Sequence, residues 1–79
     1  MTRILTVDDS RAVRTIIGKT LRANFDILEA EDGEKGLAVL QEETVDLVLL
    51  DVTMPVMDGP EMLKRLRERG DQTPVILLT

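Results

Sequence analysis

The sequence predicts an α/β domain in which a parallel sheet is wound by helices. Three observations predict it. Short apolar runs rich in β-branched residues recur four times, at 4–7, 25–30, 45–50 and 75–78. Segments with apolar residues at helical spacing lie between them. Turn residues (Asn, Asp, Gly, Pro) separate the two kinds of segment. A βαβαβαβ order of this kind gives parallel strands joined by helical crossovers.

Taken in order, residues 4–7 (Ile-Leu-Thr-Val) form the first strand. Ser10 is placed to cap a helix, and Val13, Ile16, Ile17 and Leu21 give that helix an apolar stripe to about Arg22, with Asn24 as its stop. Residues 25–30 form the second strand, and Asp26 and Glu29 within it mark a half-exposed edge. Asp32-Gly33 turns the chain into a weaker helical pattern carrying Leu37, Val39 and Leu40 and ending near Glu43. The third strand, 45–50, holds the unbroken run Leu47-Val48-Leu49-Leu50, which implies a central strand buried on both faces.

A loop runs from Asp51 to Gly59. Pro60 suits the first turn of a third helix, whose apolar stripe is Met62, Leu63 and Leu66 and whose surface pairs Glu61 with Arg65. Residues 70–74 turn, and 75–78 form a fully apolar fourth strand. Right-handed crossovers give the strand order 2-1-3-4, with a switch point between strands one and three. Ligands bind beyond the carboxyl ends of strands at such a point. Asp8 and Asp9 follow strand one there, and Asp51 follows strand three.

Composition narrows the chemistry. The 79 residues allow one domain, and a chain of that length buries only roughly 60% of its unfolded surface. Hydrophobic residues are 43% and charged residues 32%, the balance of a folded globular chain. Phe25 is the one aromatic residue, so the core is aliphatic. Without Cys or His there is no disulfide framework, no zinc site of Cys and His, and no histidine acid–base chemistry. A net charge of −5 with no basic block argues against nucleic-acid binding by this chain. No apolar run reaches the roughly 18 residues of a membrane helix, and the expected location is cytoplasmic.

Three carboxylates converging on one spot repel one another unless a cation offsets them. A hard divalent ion such as Mg²⁺ takes oxygen ligands and keeps several waters, which two or three carboxylates and a backbone carbonyl would suit. A plainer reading is that Asp8 and Asp9 favour the positive end of the first helix.

The pattern Val7-Asp8-Asp9-Ser10, followed by Leu49-Leu50-Asp51-Val52-Thr53-Met54-Pro55-Val56-Met57-Asp58-Gly59, resembles the receiver domain of bacterial two-component response regulators. The resemblance runs through the whole chain and implies a flavodoxin-like fold and a signalling switch rather than a turnover enzyme. It implies that Asp51 is the phosphoacceptor for a sensor histidine kinase. It also implies that Asp9 ligates Mg²⁺ directly, that Asp8 is the second acid, often acting through water, that the Thr53 backbone carbonyl is a further ligand, and that Thr79 is the switch hydroxyl. Pro55 and Gly59 shape the loop, and Met54, Met57 and Met62 read as packing residues. Lys64, Arg65, Arg67 and Arg69 read as a solvated basic face.

The family pattern continues with a fourth helix, a fifth strand ending in a Lys, and a fifth helix. Lys19, Lys35 and Lys64 fall on helices and do not match that Lys. Residues 1–79 are therefore expected to form a single incomplete receiver domain without a linker. Part of its sheet face and its strand-four edge would be bare, so self-association into a homo-oligomer is expected. The alternative is a binding or assembly module that keeps the fold and has lost the switch. A phosphohydrolase with an Asp nucleophile would carry a second Asp where Thr53 stands, and the first strand–helix turn lacks the glycines of a nucleotide loop.

Overall fold

The computed structural model describes residues 1–54 and 56–78. The elements are β1 (Arg3–Val7), α1 (Arg11–Leu21), β2 (Asp26–Ala30), α2 (Gly33–Glu42), β3 (Leu47–Asp51), α3 (Gly59–Glu68) and β4 (Val75–Leu78). All strand pairs are parallel and the order is β2-β1-β3-β4, as expected.

Register decides which side chains share a face, because neighbours alternate along a strand. Leu5 lies beside Leu28 and Val48, and Val7 beside Ala30 and Leu50. These residues pack with Leu40 of α2, with Met62 and Leu66 of α3, and with the loop residues Val45, Met54 and Met57. This is the main core, and it is aliphatic and thioether throughout. Ile4, Thr6, Leu47, Leu49, Ile76 and Leu78 occupy the opposite face by the same register.

That opposite face is partly bare, as expected, and this overturns the reading of β3 as buried on both faces. Its helix, α1, packs mainly on β1 and β2. β3 therefore alternates, with Val48 and Leu50 fully buried on the core side and Leu47 and Leu49 half-buried on the other. The unbroken apolar run correctly marks a central strand, but the described residues supply no second helix to cover it. The stripe of α1 is affected too: Ile16 is 64% exposed and Val13 39%. Ile76, Leu77 and Leu78 of β4 are also exposed.

Boundaries moved slightly. Val45 is a buried loop residue rather than a strand residue. Asp32 is the N-cap of α2 and Gly33 its first residue, so the expected turn is the helix start. Ser10 caps α1 by accepting from Val13 N at 3.2 Å. Pro60 sits in the first turn of α3, and Arg65 Nε bonds Glu61 at 3.2 Å. The basic residues of α3 do more than face solvent. Arg67 Nη1 donates to the carbonyls of Asp71 (3.0 Å) and Thr73 (2.8 Å), which fixes the turn into β4. Arg69 Nη2 donates to the Leu37 carbonyl of α2 at 3.0 Å.

Candidate functional site

The acidic residues stand where the two central strands end. Val7 lies beside Leu50 in the β1–β3 ladder, so Asp8 and Asp51 follow on neighbouring strands at the same edge of the sheet. Carboxylate oxygens of Asp8, Asp9 and Asp51 all lie within 4.8 Å of one another. The structure thus brings together three of the expected site residues from two distant stretches of sequence.

Each acid has a different setting. Asp8 is buried at 8% exposure, Asp51 is half-buried, and Asp9 is exposed. The Asp8 backbone N–H donates to the Ala30 carbonyl at 3.1 Å, and the Ser10 N–H donates to Asp8 Oδ1 at 2.8 Å. Burial pushes the Asp8 carboxyl above the ordinary carboxylate range, and the nearby charges of Asp51 and Asp9 push the same way. The Ser10 N–H and the Arg14 guanidinium pull it back in part.

The loop after Asp51 is built to leave that residue accessible while fixing the backbone. Met54 and Met57 are buried and anchor it to the core, as packing residues should. The Val52 N–H donates to the Leu78 carbonyl at 3.1 Å, and the Gly59 N–H donates to the Val52 carbonyl at 3.0 Å. Asp58 then caps α3 by accepting from Glu61 N at 2.9 Å. Two glycines make the closure possible. A Cβ at Gly59 would lie 2.5 Å from the Asp51 carbonyl oxygen, and one at Gly33 would lie 2.9 Å from the Met57 carbonyl oxygen.

Thr53 is exposed in this loop, with its N–H 3.4 Å from Asp51 Oδ1. Thr79 and Pro55 lie outside the described residues. Arg14 was not singled out by the sequence. Its Nη1 donates to the Asp8 backbone carbonyl at 2.6 Å and its Nε to Glu29 at 3.1 Å. The signal was a cation one turn past the Ser10 cap, which helical side-chain direction aims back at the first strand's end.

Chemically, three hard oxygen donors at the end of a sheet fit a divalent cation of the Mg²⁺ type. A carboxylate among them is also a competent nucleophile toward a phosphoryl group.

Comparison with known proteins gives this arrangement its relatives. A model described as the response regulator receiver domain matches residues 4–79. The chain is 48% identical over 80 residues to the transcriptional regulatory protein CpxR of Klebsiella pneumoniae, covering all of this chain and 34% of that one. It is 42% identical over 78 residues to the response regulator MprA of Mycolicibacterium vanbaalenii, covering 98% of this chain and 34% of the other. The chain thus spans about a third of the length of these curated relatives. Among solved structures, the N-terminal domain of a response regulator receiver protein from Methanoculleus marisnigri superposes with a TM-score of 0.95 at 36% identity, over 100% of this chain and 67% of that one. The response regulator TrrA of Thermotoga maritima, solved in complex with Mg²⁺-BeF, superposes with a TM-score of 0.93 at 36% identity, over 100% and 70%.

Proposed function

We propose that this chain, which belongs to the response regulator receiver domain family, is the phosphoacceptor part of a two-component switch with Asp51 as its acceptor. The observation that carries the reading is the convergence of Asp8, Asp9 and Asp51 at the ends of the two central strands. A sensor histidine kinase is the phosphodonor. A carboxylate oxygen of Asp51 forms a P–O bond as the P–N bond to the donor's imidazole breaks. The electron pair of that bond leaves on the imidazole nitrogen, which takes a proton from solvent. The module acts as a switch and at most catalyses its own phosphoryl transfer.

Asp8, Asp9 and Asp51, with the Thr53 carbonyl, would hold Mg²⁺. The ion would neutralise charge on the carboxylates and the incoming phosphoryl group. Ser10 and Arg14 hold the Asp8 end of the site, and Gly59 holds the Asp51 end. Thr79 is the switch hydroxyl of this reading. Residues 1–79 are an incomplete receiver unit, and the chain works in the cytoplasm. No helix of the described residues is long and apolar enough to cross a membrane.

A second reading is assembly, in which the chain associates with a second copy of itself through the outer edge of β4; the support for it is the strand's backbone geometry. The Pro74 and Leu78 carbonyls accept from Val48 N of β3 and from Val52 N just beyond it. Alternate residues of a strand point their backbone groups to opposite sides, so those of Val75 and Leu77 face outward. No described strand pairs with that edge.

The test of the acceptor is intact mass after incubation with phosphoramidate and Mg²⁺, beside Asp51→Asn. A gain of one phosphoryl group that the variant loses is expected. A folded chain that gains none would leave assembly as the better reading.

A further inference from the structure

The Asp8 peptide carbonyl stands at a break in the sheet. The Asp8 N–H makes the last contact with β2, at the Ala30 carbonyl, and β2 ends at Ala30. The next carbonyl of β1's path, that of Asp8 itself, has no strand beside it to supply an N–H. Arg14 takes that place, with Nη1 donating at 2.6 Å. A charged donor on a peptide oxygen makes a stronger bond than the amide it replaces.

The guanidinium is itself fixed. Its Nε donates to Glu29 Oε1 at 3.1 Å, and the other carboxylate oxygen, Glu29 Oε2, accepts from Arg22 Nη2 at 3.0 Å. Arg14 thus bridges α1, the end of β1 and the edge strand β2. Its side chain is 12% exposed, against 35% or more for the cations of the other ion pairs. Solvent screens such a contact far less than an ordinary surface pair.

We propose that Arg14 is a positioning residue for the acid cluster: by gripping the Asp8 carbonyl while braced on Glu29, it fixes the β1–α1 turn so that Asp8 and Asp9 are presented together to a divalent cation. The proposal rests on the cation site described under the proposed function. Arg14 itself touches neither cation nor phosphoryl group. It acts through the backbone of the residue whose side chain does. Partners of this outer kind typically contribute about 10–100-fold to metal affinity.

The test is calorimetric titration of Mg²⁺ into the full 79-residue chain and three variants at one pH and ionic strength. Arg14→Met is expected to weaken Mg²⁺ binding at least about tenfold. Arg14→Lys keeps the charge but has no rigid fork to hold the carbonyl and Glu29 at once, and is expected to bind at an intermediate affinity. Ile27→Val loosens the same edge of the sheet without touching the turn, and is expected to bind like the parent. Parent-like affinity in Arg14→Met overturns the proposal. So does an equal loss in Ile27→Val, which would make the effect one of general stability. If Arg14→Met does not fold, Arg14→Lys decides: parent-like affinity there overturns the proposal, and a loss that Ile27→Val does not share upholds it. Absence of Mg²⁺ binding by the parent would sink the cation site itself, a result distinct from any difference among the variants.

Discussion

The Asp8 carboxyl is held out of water next to two like charges, and this sets its linkage to stability. Its pKa in the folded chain lies above the unfolded value. The folded state therefore keeps the proton to higher pH than the unfolded state does. The stability from this group is complete below the ordinary carboxylate value and is lost as pH rises through the raised one. Asp8→Asn removes the charge while keeping the oxygen that Ser10 bonds, so it is expected to raise the thermal midpoint at neutral pH in the presence of a chelator. Melting curves check this, and an unchanged or lower midpoint would contradict it. The gain should shrink as the buffer is taken below the usual carboxylate range. Asp71 has the opposite sign: the Thr73 hydroxyl and N–H lower its pKa, so its contribution is lost on acidification. Gly59 is a residue of a different kind, conserving space rather than charge. A Cβ there meets the Asp51 backbone at 2.5 Å, and backbone cannot rotate away. Gly59→Ala is expected to cost about 1–3 kcal/mol, read from denaturant unfolding, and to displace the acceptor loop.

Elements were legible where a local cause sets them. Ser10, Pro60 and the Met62–Leu66 pair announce their helices by capping, fixed φ and helical spacing, and each does in the structure what its chemistry suggests. Asp58 works in the same local way, and Asp58→Ala is expected to cost about 1 kcal/mol through loss of the α3 cap. For a chain of this size that is a fall of about 4–8 °C in the thermal midpoint. The exposure of Ile16 was not legible, because an apolar stripe says that a residue can be covered and not that a partner is there to cover it; the partly bare sheet face and the β4 edge, by contrast, were expected. The acid cluster was found from strand ends and topology, since Asp8 and Asp51 follow directly on apolar runs and Asp9 comes next after Asp8. Arg14 escaped because its partner is a backbone carbonyl, and no residue type in the sequence marks a carbonyl left without a strand beside it.

At the scale of the whole molecule, one face of the sheet carries the main core and the other is partly bare. The core face gathers Leu5, Val7, Val48, Leu50, Met62 and Leu66, all fully buried, into one cluster. The opposite face and the β4 edge leave Ile16, Ile76 and Leu78 in contact with solvent. An edge strand with no charge, proline or bulge is a template for pairing. With Val75 and Leu77 facing outward, a two-fold axis through Ile76 would set Val75 opposite Leu77 of the second copy in an antiparallel ladder. Light scattering is therefore expected to give a mass above one monomer that falls on dilution. Ile76→Lys places a charge at the centre of that seam and is expected to return the chain to the monomer mass. A parent that stays monomeric at high concentration would refute the arrangement.

The strand register has one further consequence. Val7 and Leu50 meet side by side, and the acids stand one step beyond them. Between those two positions the chain passes through α1, β2 and α2. A ligand held by Asp8 and Asp51 together would be a staple across the two strands on which the rest of the sheet is hung. Staples of this sort gain most when the chain they close off is long, because an open chain has that much more freedom to lose. The same three carboxylates that weaken the sheet when they face one another alone would then, once bridged, lock its middle rung.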